Sequence, residues 1–141
     1  MTNTATETLS VVVEREIPFP PEKIWRALTQ PHLIEEWLMK NDFKPVAGHR
    51  FNLRRDPQPN VSVVVDCQVL AVEPNKTLSY TWAAYGLESV VTWTLTPTSA
   101  GTHLRMEQSG FRPDQRQAYR GAKAGWRQFF AALEQVLART D

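Results

Sequence analysis

The sequence predicts an α+β domain in which a curved antiparallel sheet of six or seven strands wraps around one long C-terminal helix. Three observations carry the prediction. Stretches of period-two alternation follow one another between Phe51 and Met106 with only turn-length spacers, the pattern of a meander. Residues 114–139 carry one 3.6-period apolar stripe that no proline interrupts. Two short helical segments, opened by Pro21 and Pro31, separate the first strand from the meander, so the element order is β-α-α-β(5–6)-α. With 141 residues the chain makes one domain, spanning residues 9–141 behind a polar N-terminal tail, residues 1–8, expected to be disordered.

Each element has a local cause. From Leu9 to Ile17 the odd positions read Leu, Val, Val, Arg, Ile, a half-buried strand that places Arg15 on the inward parity. Phe19-Pro20-Pro21 ends strand pairing, because proline lacks an N–H and fixes φ. Pro21 suits a first helical turn, and Ile24, Trp25 and Leu28 give a short amphipathic helix to about Thr29. Pro31 opens a second helix with Leu33, Ile34, Trp37 and Leu38 on its apolar face. Phe51 and Leu53 alternate before a turn at Asp56–Asn60. The strand from Val61 to Val72 puts Val61, Val63, Val65, Cys67 and Val69 on one face. After Glu73–Lys76 come Leu78, Tyr80 and Trp82, then Tyr85-Gly86, then Val91, Trp93 and Leu95. A turn at Pro97–Gly101 leads to Leu104, Met106 and the inward-facing Gln108. The spacers read as loops of about 4–6 residues. Gly110–Pro113 ends the sheet, and Asp114 is the expected N-cap of the last helix. Its inward face holds Tyr119, Ala122, Trp126, Phe129, Phe130, Leu133, Val136 and Leu137.

Composition excludes several classes of function. A hydrophobic fraction of 42% with mean hydropathy −0.39 describes a folded, water-facing protein. The aliphatic runs Val11–Val13 and Val63–Val65 are far below the ~20 residues of a membrane span. The first ten residues have neither a basic nor an apolar signal region, and the single cysteine excludes an internal disulfide, so a cytoplasmic location is expected. A net charge of +1 gives no nucleic-acid footprint. Charge is nevertheless uneven: residues 112–141 hold 6 basic and 3 acidic side chains, net +3, against 10 and 12, net −2, before them. Arg116, Arg120, Lys123 and Arg127 form a stripe beside the apolar face of the last helix, suited to solvent or to steering an anionic ligand or acidic partner.

Taken together the residues resemble the START-like or SRPBCC superfamily and its helix-grip fold. Within it they are most similar to the branch related to the C-terminal domain of the activator of the Hsp90 ATPase. The resemblance runs from about Val11 to Leu137. It rests on Pro21–Thr29 (PEKIWRALT), Pro31 and Trp37, Gly48 and Phe51, Pro74, Leu78, Tyr80 and Trp82. Val91–Leu95 (VTWTL), Thr102-His103-Leu104, Gly110-Phe111 and Gly125-Trp126 complete it. Many members have a double glycine where this chain has Ala47-Gly48. The resemblance implies a deep cavity between the concave sheet and the C-terminal helix. Members use it to hold hydrophobic small molecules, to cyclise polyketides or to sequester a toxic natural product, and the fold alone does not choose among these.

The residues themselves offer little chemistry beyond binding. His32, His49, His103 and Cys67 stand at no zinc spacing, and His103 alternates with Leu104 so as to point away from the core; neither a metal nor a tightly held cofactor is expected. There is no nucleophile elbow, and Cys67 on an apolar strand face reads as an inert part of the core or pocket wall. Gly121 and Gly125 sit inside a helix, where each costs ~1 kcal/mol relative to alanine. Two reasons would offset that cost: close packing of a neighbour, or space left under the first half of the helix. The candidate ligand-binding set is Arg15, Trp37, Phe51, Val65, Cys67, Tyr80, Trp82, Trp93, Met106, Gln108, Tyr119, Ala122 and Trp126. Arg15 reads first as one half of an internal salt bridge, then as a contact to an anionic ligand, and otherwise as a solvated strand end. The expected function is binding of an apolar or aromatic small molecule, by a monomer or homodimer. A cyclase- or hydrolase-like enzyme and a chaperone-associated interaction domain with a weak protein partner are the alternatives, and no catalytic pair is apparent.

Overall fold

The computed structural model describes residues 8–140, so the expected disordered tail lies outside the described residues except for Thr8. The elements are β1 (Leu9–Ile17), α1 (Pro21–Thr29), α2 (Pro31–Trp37), β2 (Lys40–Asn41), β3 (Arg50–Gln58), β4 (Val61–Glu73), β5 (Thr77–Ala84), β6 (Leu87–Thr98), β7 (Gly101–Phe111) and α3 (Arg116–Arg139). The strands form one seven-stranded sheet in the order β1-β7-β6-β5-β4-β3-β2, antiparallel at each pairing. This is the helix-grip architecture: the meander curves around α3, and α1 and α2 close one end.

Alternation along the strands builds the concave face. Leu78, Tyr80 and Trp82 on β5, Val91, Trp93 and Leu95 on β6, and Leu104, Met106 and Gln108 on β7 are all buried, while the residues alternating with them are more exposed. The register sets Trp93 opposite both Leu78 and Met106. On α3, Trp126, Phe130, Leu133, Val136 and Leu137 are buried, so its C-terminal half is clamped against the rest of the core. Trp37 joins the layers: its indole Nε1 donates to the Ala27 carbonyl at 2.8 Å, and its ring meets Trp93 edge-on at 5.6 Å.

Several boundaries differ from the sequence reading. The hairpins are tighter than expected, with only Pro59-Asn60, Tyr85-Gly86 and Ser99-Ala100 between paired strands. β3 continues through Pro57 because the β3–β4 register shifts between Arg55 and Gln58, which frees that position from the ladder. Pro97 fits inside β6 for a related reason. The β5 pairing begins at Thr77–Thr94, so Pro97 projects past β5 and pairs only with Thr102 of β7. β2 is the strand that alternation could not reveal, being two residues long. The last helix starts at Arg116 with Gln115 at the cap, and Asp114 instead accepts a hydrogen bond from Arg112 Nε at 3.2 Å. Leu9 turns outward where the β1 register shifts at Leu9/Ser10.

Gly101 is required by contact: a Cβ there would collide with the Ile17 carbonyl and lie 2.7 Å from Phe19 N, and its φ is +153°. At the Ala47-Gly48 pair only Gly48 has a positive φ, +90°, so a single glycine suffices there.

Candidate ligand cavity

Between the concave face and the first half of α3 lies a cavity of about 400 Å³. One wall is the helix: Ala118, Gly121, Ala122 and Gly125 present small side chains or none. A Cβ built on Gly121 would meet nothing within 4 Å, and one on Gly125 would touch only the Phe129 ring, at 4.0 Å. The two glycines therefore do not serve close packing; they border open space. The facing wall is the sheet, with Val63 and Val65 from β4, Trp82 and Ala84 from β5, and Leu87 from β6. Met39, after α2, and Phe129 complete the apolar surface.

The floor is polar, and its amide is held from both ends. Gln108 is 1% exposed and borders the cavity. Trp126 Nε1 donates to its Oε1 at 2.7 Å, its Nε2 donates to Ser89 Oγ at 2.9 Å, and Ser89 Oγ donates to the Trp82 carbonyl at 2.8 Å. This relay ties the Trp126 indole to the Trp82 backbone, and the two indoles share one cavity corner with centroids 5.4 Å apart. An amide retains one further lone pair and one further N–H beyond these bonds. The mouth carries Arg55, Tyr85, Asp114, Gln115 and Gln117.

Of the thirteen candidates, the structure brings Val65, Trp82, Gln108, Ala122 and Trp126 to the cavity wall. Trp93 sits one layer behind, against Trp126 at 5.7 Å and Phe130 at 5.5 Å, with Trp37 and Met106 deeper in the core. Phe51 and Tyr80 form a second aromatic nest with Phe43, centroids 5.4 and 6.3 Å from Tyr80, and the Tyr80 hydroxyl accepts from Trp93 Nε1 at 3.1 Å. Burial pushes the Tyr80 hydroxyl well above its ordinary pKa, so it is a neutral phenol. Cys67 is buried beside this nest, and burial, aided by the Asp66 and Asp42 carboxylates, pushes its thiol up to about 12, leaving no thiolate at neutral pH.

Tyr119 lies on the other flank of α3, edge-on to Phe111 at 5.6 Å, its hydroxyl donating to the Ser10 carbonyl at 3.3 Å. Arg15 corrects the leading expectation of an internal salt bridge and takes the solvated alternative. It is exposed, donating to the Glu14 carbonyl at 2.8 Å and lying over the Phe130 ring at 5.8 Å, because a long side chain near a strand end reaches water from an inward position.

Residues absent from the candidate set also reach the wall. Arg55 continues the Phe51–Leu53 alternation by one step and had a readable signal. Leu87, the first residue of β6, shares the parity of Val91, Trp93 and Leu95 and was readable in the same way, whereas Met39 had no signal, since its place depends on where the chain after α2 folds over the sheet. His103 lies outside the cavity, its ring bonded to Glu16 and, at 2.8 Å, to Glu14 across β1–β7; those hydrogen bonds raise its pKa above 6.5.

Comparison with known proteins follows this geometry. The family model of the activator of Hsp90 ATPase homolog 1-like protein matches residues 18–138. The chain belongs to that family. A crystal structure of protein MLL2253 from Mesorhizobium loti is 70% identical, with a TM-score of 0.89 over 94% of this chain and 99% of that one. DynU16, from the dynemicin biosynthetic locus, is 28% identical with a TM-score of 0.79 over 92% of this chain; this chain spans only 47% of DynU16. CalU16 from Micromonospora echinospora, 22% identical with a TM-score of 0.79 over 94% of this chain and 78% of that one, shares the fold. No curated protein matches the chain. No helix among the described residues is long and apolar enough to cross a membrane.

Proposed function

We propose that this member of the Hsp90-ATPase-activator-like family binds a hydrophobic or aromatic small molecule in the cavity between the sheet and the first half of α3. One observation carries the reading. Gly121 and Gly125 each weaken a helix interior by ~1 kcal/mol, yet no neighbour occupies the room they leave. A volume of about 400 Å³ falls within the ~300–1,000 Å³ range of small-molecule sites. The two indoles supply flat apolar contact at low entropic cost, and Gln108 on the floor has one donor and one acceptor left for a polar atom of the guest. The relative DynU16 stands in a biosynthetic locus, a setting in which a small-molecule binder has a use.

Binding is favoured over catalysis by where the ionisable groups stand. Those on the cavity wall, Arg55, Tyr85 and Asp114, are all exposed at the mouth, and the buried floor offers an amide that cannot ionise. General acid–base work needs a titrating group within hydrogen-bond reach of the reacting atom. The test is Ala122→Phe, which fills the cavity from its helical wall. Titration with phenylnaphthylamine, a neutral fluorescent aromatic, should show uptake by the wild type and loss of it in the variant, with the melting temperature nearly unchanged. If Ala122 were packed core, overpacking would instead cost ~1–3 kcal/mol and lower the melting temperature.

A further inference from the structure

The cavity mouth holds a cation that is unpaired among the described residues, and we infer that the ligand is an amphipathic acid whose anionic end is held by Arg55 while its apolar body lies between Trp82, Trp126 and the α3 glycines. The inference rests on the binding reading above and names the ligand class of that site. Phe51 and Leu53 on β3 are buried at 3% and 1%, and Arg55 continues their parity, so its side chain belongs to the concave, ligand-facing surface of the sheet. It stands opposite Val63, itself on the wall, immediately before the register shift that interrupts the β3–β4 ladder. Such irregularities re-aim side chains at the rims of sheets.

Arg55 has no hydrogen-bond or ion-pair partner among the described residues, whereas the carboxylate at the same mouth, Asp114, is engaged by Arg112 Nε at 3.2 Å. The remaining polar groups there are the neutral Gln115, Gln117 and Tyr85. The local balance is therefore one free guanidinium facing an apolar cleft. Arg116, Arg120, Lys123 and Arg127 are exposed on the side of α3 turned away from Ala118, Gly121, Ala122 and Gly125, so the charge at the mouth is that of Arg55. A guanidinium pairs with carboxylate or sulfonate oxygens through two parallel N–H donors, which gives an end-specific anchor that a neutral ligand cannot use.

Paired probes test this. Anilinonaphthalene sulfonate carries an anionic group, and phenylnaphthylamine is its uncharged counterpart. At ~0.15 M salt, where charges more than ~8 Å apart are screened, both are titrated into wild type, Arg55→Gln, Arg55→Lys and Arg15→Gln. Arg15→Gln removes the same charge from an exposed concave-parity position outside the cavity. The expected result is a wild-type preference for the anion and a loss of about fivefold in anion affinity in Arg55→Gln, the scale of one half-wet charge contact. Neutral-probe affinity should stay within about twofold, Arg55→Lys should recover part of the loss, and Arg15→Gln should match wild type. Equal loss of both probes in Arg55→Gln, or the same anion loss in Arg15→Gln, overturns the Arg55 assignment while leaving the cavity as a binding site. A wild type that takes up neither probe overturns both readings together.

Discussion

Replacing both Gly121 and Gly125 with alanine should make the protein more stable and a poorer binder at once. The positions are helical, inside the 24-residue α3, so the backbone conformation already suits alanine. The added methyl at 121 meets nothing within 4 Å, and the one at 125 makes ordinary contact with the Phe129 ring at 4.0 Å, so no strain offsets the gain in helix propensity. Each substitution then contributes ~1 kcal/mol, ~2 kcal/mol together, part of it from a less flexible unfolded chain. For 141 residues, an unfolding entropy of ~2.1 cal/mol/K per residue amounts to ~0.3 kcal/mol/K. The pair should therefore raise the melting temperature by about 7 °C, readable by calorimetry or by circular dichroism. The same methyls project into the cavity, so phenylnaphthylamine affinity should fall. A lower melting temperature would refute the reasoning outright, because it would mean the glycines accommodate a close contact. A higher melting temperature with undiminished uptake would refute the claim that they are kept to leave room for a guest.

Two other perturbations follow from the geometry. Gln108→Leu keeps the volume but strands the buried Trp126 Nε1–H, and should cost ~1–3 kcal/mol in chemical denaturation, with a blue-shifted or broadened tryptophan emission; a neutral effect would mean the relay does not hold the Trp126 indole. The bonds from His103 to Glu16 and Glu14 raise its folded pKa, so their stabilisation is complete below the unfolded value of 6.5 and disappears as pH rises through the raised folded value. The melting-temperature difference between wild type and His103→Gln should thus be larger at pH 5.5 than at pH 9, and a difference that grows with pH would contradict the assigned sign.

The sequence by itself determined the element order and the faces of the strands, because alternation and helical periodicity are properties of neighbouring residues. Pro21 and Pro31 opened helices where their fixed φ and absent N–H dictate, and Trp82, Trp93 and Trp126 all turned inward as their parity required. Parity, however, says only which side of an element a side chain leaves from. It does not say what stands across from it, since that distance is set by sheet curvature and by how far the helix is held away. Trp93 and Trp126 are both inward, yet one is sealed in the core and the other borders the cavity. Arg15 and Arg55 share the concave parity at different strands, but only Arg55 opens onto the cleft, because the register shift after it and the lift of the first half of α3 meet there. Gln108 looked in sequence like a free polar contact; its partners Ser89 and Trp126 lie 19 and 18 residues away and become neighbours only once β6, β7 and α3 pack. Whether Gly121 and Gly125 served close packing or open space was likewise undecidable from the helix alone, for the answer is the position of atoms belonging to other elements.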